Sequence, residues 1–212
     1  MDQSGAAAGQ DSASGHPCRV PGIPFAFSLL LSLFSVGNSV YWQDSGFYLT
    51  AVHDLSVLYP HGFVLYLFLC KGWTLLMAPL FGFTLSVHLF SSLCAAGAAA
   101  FLAAASRLVL QRLGVRRPDP PAILAACLCA AGYGFWHAGI LAKTYALFYL
   151  TLSALLWALL RAERRSDFTL ASVLLALAWL AHPSGALLIP VLGGLAWARR
   201  EIWRPWGMGW AA

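Results

Sequence analysis

Arg112, Arg116, Arg117, Arg161, Arg164, Arg165, Arg199, Arg200 and Arg204 crowd into three short gaps between long apolar stretches. Asp44, His53, Asp54, His61, His88, His137, Lys143 and His182 fall at or near the opposite ends of those stretches. Basic residues at one end of apolar segments read as cytoplasmic anchors. Titratable groups collected at the other face are costly in a membrane and are kept there mainly for function. A chain with this split folds as a bundle of membrane helices whose chemistry lies outside.

Composition agrees. Of the 212 residues, 60% are hydrophobic and 10% charged, against about 25% charged in a soluble domain. Mean hydropathy is +0.72. Period-two alternation, the mark of a barrel, is absent. The fold class is therefore all-α: a polytopic membrane protein with about six transmembrane helices and short juxtamembrane helices at the outer surface. The net charge of +5 is accounted for by loop arginines, so nucleic acid is not an expected partner. Five cysteines match no disulfide framework or zinc spacing. Cys127 and Cys129 would point about 200° apart on a helix, too far to chelate together.

Residues 1–22 read as a disordered cytoplasmic tail, 23–200 as the membrane module, and 201–212 as a C-terminal cytoplasmic end of a chain that is a fragment or a reduced relative. Pro21, Gly22 and Pro24 should break any helix before the first span, Phe25 to Val40. That span reads as a signal-anchor, with a cleaved signal peptide as the alternative. Residues 62–83 are apolar, but Lys71-Gly72 interrupts them. If they crossed, all three arginine loops would fall outside. They are read instead as one or two short helices lying at the outer surface or dipping in. The second span, Thr84–Leu110, is rich in Ala, Gly and Ser, which lets helices pack closely in lipid. An outer turn is expected near Tyr133–Gly139 and another at His182-Pro183-Ser184-Gly185. The last two crossings hold only about 15 residues, roughly 22 Å, short of a ~30 Å core.

Asp44 is either a helix N-cap or a carboxylate placed to take a proton from a hydroxyl. Tyr59-Pro60-His61-Gly62 reads as a turn. His53 and Asp54 are adjacent and could simply be solvated. His88 and His182 each read as satisfied polar residues, and no HxxxH or HxH spacing gathers a metal site. Lys143, in LAKTYALFYLTL, either snorkels to the interface or neutralises an anionic lipid headgroup.

The order of these motifs resembles the GT-C superfamily of membrane glycosyltransferases. It is most similar to the transmembrane protein O-mannosyltransferases that modify plexin-type receptors, and to bacterial relatives of unknown function. The resemblance runs over about residues 25–200. It is carried by Gln43-Asp44-Ser45-Gly46-Phe47, Tyr59-Pro60-His61-Gly62-Phe63-Val64-Leu65-Tyr66, His88-Leu89-Phe90-Ser91, Phe135-Trp136-His137-Ala138-Gly139, Ala142-Lys143-Thr144-Tyr145-Ala146-Leu147 and Ala181-His182-Pro183. Phe47 stands where that family has a second acid, Tyr59 where it has a histidine, His88 for its Asn and Lys143 for its Glu.

The resemblance implies transfer of a sugar, mannose in the nearest family, from a polyprenyl-phosphate donor. The acceptor would be a hydroxyl of a protein or glycan on the extracytoplasmic side, and no cofactor beyond the donor lipid is implied. Asp44 is then the expected catalytic base. Lys143, His61, Tyr145, His137, His182, His53 and Asp54 are the expected donor-phosphate or substrate-binding residues. The expected partners are the lipid-linked sugar, the acceptor and membrane lipids, and the expected location is a bacterial plasma membrane. A transporter or flippase subunit would need polar residues and broken helices at mid-membrane, and the polar residues here sit at the ends. A non-catalytic scaffold is the third reading, favoured by the missing second acid.

Overall fold

The computed structural model describes residues 19–40, 44–56, 63–162 and 165–198. The described chain is helical, with no strand among these residues. In order come α1 (Arg19–Ser35), α2 (Ser45–Asp54), α3 (Val64–Phe81), α4 (Phe83–Arg112), α5 (Asp119–Ala131), α6 (Tyr133–Ile140), α7 (Tyr145–Arg161) and α8 (Arg165–Ala181). A 3-10 turn over Pro183–Leu188 then leads into α9 (Ile189–Ala198).

Helix α4 is the axis of the bundle, with α1, α3, α5, α6 and α7 packed around it. Its small residues make that possible: Ala95, Ala96, Ala98, Ala99 and Ala103 are buried, and close approach is what such residues allow in lipid. A Cβ at Gly139 would sit 3.0 Å from both Ala95 Cβ and Ser32 Oγ, so α1, α4 and α6 meet there almost backbone to backbone. Ser92 Oγ fastens the crossing by donating to the Gly139 carbonyl at 3.0 Å.

Helix α1 starts earlier than the proline pattern suggests. Arg19–Gly22 are helical and Pro24 lies inside the helix, so the break expected at Pro21–Pro24 is absent and the boundary at residue 22 falls inside α1. The first turn needs no intrahelical donors, and Pro24 forgoes only the bond to the Val20 carbonyl. Residues 1–18 and 201–212 lie outside the described residues.

By length and composition α3 and α4 are each long enough to cross a membrane, and α5 with α6 makes a third if that pair, bent by 65°, is one span. Apolar helices α1, α7 and α8 are shorter. Residues 64–81 form one helix, where one or two short pieces were expected. It packs against the start of α4. Tyr66 packs on Phe90 with ring centroids 5.8 Å apart, Trp73 Nε1 donates to the Ser86 carbonyl at 2.8 Å, and Gly82 leads directly into α4. Helix α3 therefore folds back from Gly82 against the start of α4. Leu75, Leu76 and Leu80 face outward from it, as a helix against lipid requires. Lys71 is explained by α2: its Nζ donates to the His53 carbonyl at 2.6 Å, satisfying an orphan acceptor at a helix C-terminus.

The turn expected at Tyr133–Gly139 is itself mostly helix. The chain bends at Gly132, whose N–H donates to the Leu128 and Cys129 carbonyls, and α6 follows; the non-helical link is Leu141–Thr144 instead. The break at His182–Gly185 is present. A Cβ on Gly185 would lie 2.5 Å from Trp179 N and 2.6 Å from Ala178 C. Backbone cannot swing aside as a side-chain tip can. Gly185→Ala is therefore expected to destabilise the fold by about 1–3 kcal/mol. A thermal midpoint no lower than wild type, measured in the same detergent, would refute that close approach.

Candidate active site

Asp44 immediately precedes α2, with φ −63° and ψ −16°. Its carbonyl accepts from Tyr48 N at 3.0 Å, but its side chain makes no capping hydrogen bond. The capping role left open by the sequence is thus not taken up. The carboxylate turns instead toward Lys143, with Oδ2 and Nζ 3.7 Å apart. Lys143 is 12% exposed and Asp44 49%, so the cation sits beneath a carboxylate that reaches solvent.

Lys143 arrives there because α6 ends at Ile140 and the Leu141–Thr144 link carries the chain over the end of α4 before α7 begins. The link is tightened by Lys143 N–H donating to the Leu141 carbonyl at 2.9 Å. The flanking hydroxyls of Ser45 and Thr144 are buried and have no hydrogen-bond partner among the described residues. Unsatisfied buried hydroxyls are uncommon, and each calls for an explanation.

A cavity of about 190 Å³ opens beside Lys143, lined also by Gly134, His137, Ala138, Leu141, Tyr145 and Tyr149 and not by Asp44. It is smaller than the roughly 300–1,000 Å³ of a pocket that buries a whole ligand. A phosphate or one sugar ring fits that size better than a complete lipid-linked sugar. His137 stacks on Tyr133 at 5.0 Å, and Tyr149 stacks on Phe135 at 5.5 Å. Trp136, beside His137, is committed elsewhere: its Nε1 donates to Ser35 Oγ at 3.1 Å and braces α6 on α1.

His182 closes the same end. Its ring lies 5.2 Å from Tyr145, 5.3 Å from Phe148 and 5.8 Å from Phe63. Burial among these rings pushes the imidazole below its ordinary pKa, because an apolar surround disfavours the charged form. Ser184 N–H donates to His182 Nδ1 at 3.2 Å, which leaves the proton of the neutral ring on Nε2. His182 is thus a neutral ring caught in an aromatic cage.

His53 and Asp54 are not part of this group. They lie at the far end of α2, nine and ten residues or about 14–15 Å from Asp44, and pair with each other at 2.5 Å on the surface. His53 also packs edge-on to Phe83 at 5.3 Å. His61 lies outside the described residues. His88 is fully buried in α4, and its Nε2 is 3.3 Å from the Ser39 carbonyl, which ties α4 to the segment after α1. Among the described residues no three His, Cys, Asp or Glu side chains gather as metal ligands. Sequence reading missed Tyr149, although it follows Tyr145 by four residues and so shares its helix face.

The model of the protein O-mannosyl-transferase TMEM260 N-terminal domain matches residues 44–203. The chain belongs to this family. The match begins at Asp44 and takes in Lys143, Tyr145 and His182. Membership of the TMEM260 N-terminal family gives the chain a glycosyltransferase-like role in a membrane. No curated protein and no solved structure matches it.

Proposed function

We propose that the chain is the membrane module of a GT-C type O-mannosyltransferase. It would take a sugar from a polyprenyl-phosphate donor and pass it to an acceptor hydroxyl at the extracytoplasmic face. The observation that carries this reading is the Asp44–Lys143 pair, whose lysine lines the small aromatic cavity. Asp44 takes the acceptor proton as the hydroxyl attacks the sugar C1, and the lipid phosphate departs. Lys143 stands where negative charge grows on that phosphate, and a placed cation lowers the barrier there. The scaffold reading keeps one supporting observation: Lys143 faces the only acid of the group and could serve merely to hold it.

The arginine loops support a multi-pass topology with residues 111–121 and 162–167 in the cytoplasm and Asp44 outside. Helices α1, α7 and α8 then cross where the bilayer thins or the short helices are flanked by snorkelling arginines. Likeness to bacterial relatives is what points to a bacterial plasma membrane. A single cysteine placed at Val115 should resist impermeant thiol reagents in intact cells and react after permeabilisation. Labelling in intact cells would reverse the topology.

Mannosyl transfer by the full-length protein in proteoliposomes, from a polyprenyl-phosphate mannose to a hydroxyl-bearing peptide, tests the activity. Donor turnover that requires the protein supports the transferase. Donor binding with no transfer to any acceptor supports the scaffold.

A further inference from the structure

Two cavities larger than the one beside Lys143 lie away from the proposed active site. They lie at the opposite, arginine-rich end of the bundle. One of about 660 Å³ is lined by Gln111, Arg112, Arg161, Ser166 and Asp167, with Leu108 and Leu160. A second, of about 510 Å³, runs past Ala100, Phe101, Ala104, Trp157 and Arg161 and also reaches Leu108. The two share Leu108 and Arg161. The first is polar and at the helix ends, and the second is an apolar groove between α1, α4 and α7. From Leu108 to Ala100 the groove follows about 12 Å of α4 toward the middle of the helix.

The charges around this pair of cavities are not balanced. Arg107, which lines the apolar groove, is held by Asp119 at 2.8 Å. Arg161 stacks over the Trp157 ring at 4.8 Å, which holds its guanidinium in place without neutralising it. Arg112 donates to the Leu160 carbonyl, which brings its guanidinium beside the backbone next to Arg161. Against these two cations the polar cavity offers, among the described residues, one carboxylate, Asp167. A fixed, net-positive head chamber that continues into an apolar track suits an amphiphile with an anionic head.

We propose that this end binds an anionic phospholipid of the adjacent leaflet, its phosphate between Arg112 and Arg161 and an acyl chain along Ala104 and Phe101. Guanidinium groups suit phosphate because their donors match its oxygens in pairs. The site stands independently of the transferase reading, since it shares no residue with the Asp44 end. Bound there, a lipid would fill the crevice between α1, α4 and α7.

The test is native mass spectrometry of the purified full chain, offered phosphatidylglycerol or phosphatidylcholine with the same acyl chains. Wild type should retain phosphatidylglycerol about tenfold better, the scale of a charge-assisted contact. Arg161→Gln and Arg112→Gln should each abolish that preference, Arg161→Lys should keep part of it, and Ala104→Leu, which narrows the groove, should lower retention of both lipids. Helical circular dichroism confirms that each variant is folded. Equal retention of the two lipids by wild type overturns the proposal, as does an unchanged preference in both glutamine variants. Displacement by soluble glycerol phosphate would reduce the site to a headgroup chamber, and displacement by equimolar polyprenyl phosphate would reassign it to a different lipid. Either result overturns the phospholipid assignment.

Discussion

Asp44→Asn in the full-length protein should lower sugar transfer by about 10²–10⁴-fold, the usual contribution of a positioned general base. Helicity and membrane insertion should be unchanged. Asparagine keeps the shape of the side chain but cannot take the acceptor proton. The structural cost is small because Asp44 makes no capping hydrogen bond. Its pairing with Lys143, at 3.7 Å and on the solvent side, belongs to the class of ion pairs worth at most about 1 kcal/mol. Asp54→Asn is the matched control. That carboxylate is exposed, pairs only with its neighbour His53 among the described residues and lies about 15 Å away along α2. Transfer should survive its loss. Near-normal turnover by Asp44→Asn would make Asp44 structural, and loss of transfer in both variants would point to a general surface-charge effect.

What the sequence made legible follows from how local each signal is. Segregation of arginines from other titratable groups is a property of the linear chain, and it places Arg112 and Arg161 at one end and Lys143 and His182 at the other. The Ala-rich stretch of α4 announces close packing because side-chain size alone sets how near helices approach. Pro24 misled because a proline's damage depends on where the helix starts, and Arg19 starts it early enough. Tyr133–Gly139 reads as an outer turn because the apolar stretch around it is too long for one crossing, but Gly139 serves close approach to Ala95 and Ser32. The pairing of Asp44 with Lys143 was not legible at all. The residues are 99 positions apart, and no periodicity links α2 to the loop before α7. The resemblance put His53 and Asp54 in one site with Asp44, and a continuous helix carries them apart.

Lys143→Ala should weaken binding of polyprenyl phosphate by about tenfold or more, and Lys143→Arg should largely preserve it. A hydrogen bond to a charged group contributes about 1.5–3 kcal/mol, and tenfold in affinity is about 1.4 kcal/mol. Snorkelling predicts otherwise: a cation that meets only water and headgroups can be removed with no effect on donor binding. The structure weighs against snorkelling. Lys143 is 12% exposed, faces a cavity shared with His137 and Tyr145, and has its nearest anion in Asp44. Its role as a holder of Asp44 must still be separated from contact with the donor. Measuring the lysine series in an Asp44→Asn background does so, because that substitution has already removed the ion pair. If Lys143→Ala weakens donor binding equally in both backgrounds, the ammonium acts on the phosphate. If the effect vanishes once Asp44 is Asn, Lys143 is a positioning residue for the base. Equal donor affinity of wild type and Lys143→Ala would remove it from donor binding altogether and strengthen the scaffold reading.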